Sequence, residues 1–141
     1  MPRHENTAGK KPTQEQKNAA KMTTEEWNTY FTGHWTFPGT KQDKHLAMFP
    51  EELLHRLIKM FSFPGETVLD PFAGSGTTAM VAKALGRNSV SYEIKTEFIP
   101  LIENRIGGTD LLSELHVVFI PKSPKSQNYF LLISLEGGAF L

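Results

Sequence analysis

The sequence predicts an α/β fold, with a parallel sheet and helices on its faces, and three observations carry that reading. Short β-branched or aliphatic runs at 67–69 and 88–94 alternate with stretches of helical periodicity. A glycine-rich turn at 74–76 joins the first run to the helix behind it. The 141 residues, 39% hydrophobic and 21% charged, are enough for one soluble core and unlike a disordered, collagen-like or coiled-coil chain.

Residues 1–24 are rich in Lys, Gln, Thr and Asn and poor in large apolar side chains, so they cannot offset the entropy of ordering and are expected to form a flexible polar arm. From Trp27 to Phe49, aromatic residues (Trp27, Tyr30, Phe31, Trp35, Phe37, Phe49) interleave with Gly33, His34, Pro38, Gly39 and His45, which reads as irregular but ordered chain whose rings anchor a loop on the core. Pro50, Glu51 and Glu52 suit the first turn of a helix, and Leu53, Leu54, Leu57, Ile58 and Phe61 continue it at helical spacing up to Pro64 and Gly65. Thr67, Val68 and Leu69 form a strand, expected to be buried on both faces, that ends at Asp70. A helix from Thr77 or Thr78 to Leu85 stops at Gly86. A second strand from Asn88 ends at Glu93, and Phe98, Ile99, Leu101, Ile102 and Ile106 make a further helix closed by Gly107 and Gly108. Leu115 to Ile120 is expected as a third strand. The segment YFLLISL behind it is apolar enough for either a strand or a loosely placed tail. The chain thus divides into an arm at 1–24, a domain at 25–120 and an uncertain tail at 121–141.

Composition excludes several chemistries. Without cysteine there is no disulfide framework, thiolate zinc site, iron–sulfur cluster or cysteine nucleophile. The five histidines lack metal-binding spacing, so no metal site is expected. No apolar run is long enough to span a bilayer and the first residues carry no apolar stretch, which makes the cytoplasm the expected location and excludes a membrane partner. Formal charge is zero, with seven basic and five acidic residues in positions 1–44, an asymmetry too weak to name a partner.

The stretch VLDPFAGSGTT, Val68 to Thr78, carries the chemistry. Gly74 and Gly76 permit positive φ and close backbone approach to a ligand, and the helix that follows offers free amides and the positive end of its dipole. A nucleoside triphosphate loop would need lysine after the second glycine, where Thr77 stands, and a dinucleotide loop would need a third glycine. What remains is a nucleoside with a charged amino-acid tail. A carboxylate at the end of the second strand would accept the ribose hydroxyls; Glu93, 23 residues beyond Asp70, stands there, although a solvated charge is the plainer account of that residue alone.

With DPFAGSGTT and the upstream segment KHLAMFPEELLHRLIKMFSFPGETVLD, the sequence resembles the S-adenosylmethionine-dependent DNA methyltransferases that modify adenine N6 or cytosine N4, over about Trp27 to Ile106. The resemblance implies a partial Rossmann-like methyltransferase fold and double-stranded DNA as partner. It implies that Asp70, Phe72, Gly74, Ser75, Gly76, Thr77 and Thr78 surround the methionine part of S-adenosylmethionine and that Glu93 takes the ribose. His45, Ala47, Phe49 and Pro50 match the segment that completes the pocket. The order of motifs resembles the permuted group, in which the catalytic and target-reading part precedes the cofactor part.

The family's catalytic motif is Asp, Asn or Ser followed by Pro-Pro and an aromatic residue, which holds the amine of a flipped base. The chain has nine prolines and no Pro-Pro pair; Ser123 and Pro124 are followed by Lys125 and Ser126 and read as loop. No catalytic residue is therefore assigned. The expectation is a fragment or split subunit, inactive alone, that needs a second chain carrying the catalytic motif. The alternatives are a non-catalytic DNA- or protein-binding module that keeps the fold, or a decaying gene product.

Overall fold

A computed structural model describes residues 11–37, 50–106, 114–121 and 129–136, with side chains in the first two stretches. Two short helices open it: α1, Gln14–Ala19, and α2, Thr24–Tyr30. Each starts from a reciprocal cap. The hydroxyls of Thr13 and Thr23 accept the N–H of Gln16 and Glu26, and those two side chains accept the threonine N–H in return. Part of the stretch expected as a flexible arm is therefore helical, and Gln16 Nε2 donates to the Pro64 carbonyl at 2.9 Å, which ties it to the domain. The aromatic segment likewise begins as helix rather than irregular chain. Its rings do anchor: Tyr30, Trp35 and Phe37 surround the Arg56 guanidinium at 5.3, 5.5 and 5.0 Å.

Helix α3, Glu51–Phe61, follows Pro50 as its spacing predicts, with Glu51 and Glu52 in its first turn. Strand β1, Thr67–Asp70, leads through the glycine turn into α4, Thr77–Ala84, and α4 leads into β2, Asn88–Glu93. A 3₁₀ turn, Thr96–Phe98, then enters α5, Ile99–Ile106. β1 and β2 pair in parallel, Thr67 opposite Asn88 and Asp70 opposite Ser91.

The remaining strands, β3 at Glu114–Pro121 and β4 at Tyr129–Glu136, make an antiparallel pair. β4 inserts between β2 and β3, antiparallel to β2, so the order is β1-β2-β4-β3. The sheet is thus mixed, parallel only at β1 and β2. YFLLISL lies in a strand, and the expected third strand exists but does not neighbour β2.

Because strand side chains alternate between faces, the register puts Val68, Ser89, Ser91 and Glu93 on one side. That side is covered: Val68 packs on the buried Ile58, Val81 and Ala82 of α3 and α4, while Ile102 and Ile106 of α5 join Ala73 and Ala79 in a second cluster. Leu69 and Tyr92 lie on the other side and are exposed, Leu69 at 62%. β1 is accordingly not buried on both faces, and helices flank only one face among the described residues. No described helix is long and apolar enough to cross a membrane.

Candidate functional site

The chain reverses at the carboxyl end of β1, and the local sequence explains how. Asp70 Oδ1 accepts the Phe72 N–H at 2.9 Å, closing a turn around Pro71, and Ala73 N–H returns to the Tyr92 carbonyl at 2.8 Å. Gly74 and Gly76 both have positive φ, 51° and 77°. Gly76 caps α4 in the left-handed region, and a Cβ there would stand 3.3 Å from two side-chain carbons of Ile102, so α5 packs directly on the glycine.

Glu93 holds this turn from behind. Its carboxylate, on a residue only 8% exposed, accepts Gly74 N–H at 2.8 Å through Oε2 and the N–H groups of Ile94 and Lys95 at 2.8 and 2.9 Å through Oε1. A carboxylate has about four accepting positions, so three backbone donors leave about one for a ligand hydroxyl. The residue read as a ribose acceptor is thus also the clamp that fixes the glycine turn to the end of β2.

Ser75 and Thr77 face each other, Oγ to Oγ1 at 2.9 Å, and both hydroxyls meet the Arg105 guanidinium, at 2.9 and 3.1 Å. Arg105 also reaches Glu51 at 3.5 Å, joining α5, the turn and α3. Sequence reasoning did not single out Arg105; its place beside Ile102 and Ile106, on the shoulder of the buried stripe of α5, is the signal available. The Arg105 guanidinium and the amino end of α4 set positive groups opposite the carboxylates of Asp70, Glu93 and Glu51 at the same junction.

Asp70, Phe72, Gly74, Ser75, Thr77 and Thr78 line one end of a groove of about 630 Å³, whose other end is apolar and formed by α3 and β1. Gly76 lies beneath the turn and Glu93 behind it. Pro50 is placed at the start of α3, away from the groove lining, whereas His45, Ala47 and Phe49 fall outside the described residues. The sequence-derived residues from Asp70 to Thr78, with Glu93, therefore converge on one strand–turn–helix junction at the carboxyl ends of the parallel pair. Such a junction is where α/β proteins hold nucleotide-like ligands.

The geometry defines an α/β domain with a glycine turn and a buried carboxylate at the carboxyl ends of its parallel strands, and comparison with known proteins specifies its family. The model of the N6/N4 DNA methylase family matches residues 3–104, so the chain belongs to that family. The type II methyltransferase M.MjaI of Methanocaldococcus jannaschii is 45% identical over 102 residues, 69% of this chain and 34% of that protein. M.MthZI of Methanothermobacter thermautotrophicus is 45% identical over 97 residues, 63% of this chain and 27% of its own length. Among solved structures, a putative DNA modification methylase of Thermus thermophilus complexed with S-adenosyl-L-methionine superposes with a TM-score of 0.61 at 37% identity, covering 71% of this chain and 41% of that one. The chain spans between about a quarter and a third of the length of these two curated relatives.

Proposed function

We propose that this chain is the cofactor-holding part of a DNA amino-methyltransferase, which completes its activity with a part that grips the target base. The observation that carries the proposal is the Gly74–Gly76 turn. Both glycines take the positive φ that their missing Cβ permits, and the turn is clamped by Glu93 and opens onto the start of α4, in a chain whose relatives are type II methyltransferases. On this reading Asp70, Phe72, Gly74, Ser75, Gly76, Thr77 and Thr78 receive the methionine end of S-adenosylmethionine, its carboxylate near the Arg105 side of the junction. Glu93 offers its remaining accepting position to one ribose hydroxyl, while His45, Ala47 and Phe49 complete the pocket and Pro50 starts the helix that walls it.

When bound, the cofactor supplies an activated methyl group on a sulfonium, so no metal is required. This chain's residues bind and orient it. Double-stranded DNA is the substrate, at adenine N6 or cytosine N4, and a flipped base would be held by groups the chain lacks, since no Pro-Pro-aromatic motif occurs in it. A second polypeptide, or further residues of a longer protein, would bring them.

Calorimetric titration with S-adenosylmethionine and a methyl-transfer assay on DNA test the reading together. The purified chain is expected to bind the cofactor, to lose at least tenfold in affinity on Glu93→Ala, and to leave DNA unmethylated. Methylation of DNA by this chain alone, abolished by Asp70→Ala, would show that it needs no complement.

A further inference from the structure

We infer that Arg105 is a positioning residue for S-adenosylmethionine, which acts by aiming a buried hydroxyl pair, Ser75 and Thr77, at the cofactor's carboxylate; this rests on the function proposed above and deepens it. Ser75 and Thr77 line the groove, whereas Arg105 is not part of its lining and meets it through them. Both residues are buried, at 7% and 6% exposure, so the pair is shielded from competing water.

The hydrogen-bond count sets the direction of the pair. Arg105 Nη1 carries two hydrogens and donates to Ser75 Oγ at 2.9 Å and to Thr77 Oγ1 at 3.1 Å, with a longer contact to the Ser75 carbonyl at 3.4 Å. Each hydroxyl therefore has one of its two accepting positions filled by the guanidinium. The hydroxyls also share one hydrogen between them at 2.9 Å, donated in either sense. That contact uses one of their two hydrogens. The other stays on whichever oxygen accepts, and that oxygen has both accepting positions filled, by Arg105 and by its neighbour. It can only donate. A hydroxyl that accepts from a guanidinium is also the stronger donor for it, because successive hydrogen bonds polarise one another.

The surroundings decide what such a donor is for. Asp70, Glu93 and Glu51 bring carboxylates to this junction, and they would repel another one. A hydroxyl locked as donor by Arg105 gives the carboxylate of the cofactor a hydrogen bond in that acidic setting. Glu51 in turn faces Arg105 Nη2 at 3.5 Å from the first turn of α3, so the guanidinium on α5 is held from a second helix.

The test compares two ligands that differ by one group, S-adenosylmethionine and its decarboxylated analogue. Both are titrated calorimetrically into the unaltered chain, into Arg105→Met and into the double variant Ser75→Ala/Thr77→Val. The unaltered chain is expected to prefer S-adenosylmethionine by about tenfold or more, the weight of one hydrogen bond to a charged group. Each variant should abolish that preference, with the loss falling on the ligand that carries the carboxylate. Arg105→Met weakening the two ligands equally makes Arg105 a structural brace and overturns the inference. A preference that survives the double variant, or an unaltered chain that binds the two ligands alike, overturns it as well. Circular dichroism of both variants is recorded, and if Arg105→Met does not fold, the double variant and the unaltered chain decide. An unaltered chain that binds neither ligand defeats the methyltransferase reading itself, whereas binding without preference defeats the role of Arg105 alone.

Discussion

Gly76 combines two constraints that no other residue type meets, a φ of 77° and an approach to Ile102 that leaves a Cβ 3.3 Å from its side chain. Ile102 is 1% exposed and packed against Ala73, Ala79 and Ile106, so it has little room to yield. Gly76→Ala is expected to cost about 2 kcal/mol, from left-handed strain and overpacking together, measured as a lower midpoint in urea. The reverse is expected on β2. The hydroxyls of Ser89 and Ser91 are buried without a hydrogen-bond partner among the described residues, on the sheet face that α4 and α5 cover. Ser91→Ala removes an uncompensated polar group, so stability should stay level or rise by about 1 kcal/mol, and a clear fall would reveal a partner for the hydroxyl. The positive-φ glycines were legible in the sequence because turn geometry prescribes residue type, whereas the hold of Glu93 on Gly74, Ile94 and Lys95 was not, since a carboxylate at a strand end reads more simply as a solvated charge. Buried Arg87 was not: an arginine after Gly86 reads as solvated, yet its guanidinium donates to the Leu85 and Ser62 carbonyls and to Ser62 Oγ, pinning the end of α3 to the start of β2.

Among the elements, α2 is fixed to α3 by Lys59, whose ammonium donates to Glu26, while Glu26 also accepts the Thr23 N–H. The hydrogen bond from Lys59 first, and that N–H second, hold the Glu26 carboxyl below its ordinary value. A carboxyl lowered by folding contributes stability that is complete above its unfolded pKa and is lost as pH falls through the lower folded value. Glu26→Gln keeps the reciprocal cap but loses the ion pair, so it should be less stable than the parent by up to about 1 kcal/mol at pH 7. That gap should close as the pH drops below about 4.5, which thermal melts across about pH 3 to 7 would record. The same elements mark a limit of the sequence reading. Thr13 with Gln16 and Thr23 with Glu26 are capping boxes in plain view, but the apolar content expected of a stable helix is absent from α1, so composition argued for an arm. The strand–turn–helix–strand core, by contrast, was legible because local periodicity and turn residues agree along it.

At the scale of the molecule, local pattern could not supply the insertion of β4 between β2 and β3, since pairing between distant strands depends on contacts that periodicity does not encode. Nor could it supply the one-sided helical layer: Thr67–Leu69 reads as a strand buried on both faces, and Leu69 is exposed because Val68, on the opposite side, is the residue that packs on α3 and α4. The site was legible because it is local, spanning 70–78 and the end of the next strand. The groove beside it was not, because it forms between α3 and β1, two elements whose packing local periodicity does not encode. What unites these scales is the claim that the Asp70–Thr78 turn, clamped by Glu93, is a working cofactor site in a part of a larger enzyme. The most direct test is amide chemical-shift mapping of the isotopically labelled chain during titration with S-adenosylmethionine. The account predicts saturable shifts concentrated at Phe72 to Thr78 and at Ile94 and Lys95, the N–H groups around the turn and the Glu93 carboxylate; shifts absent from those residues, or confined to α1 and α2, would contradict it.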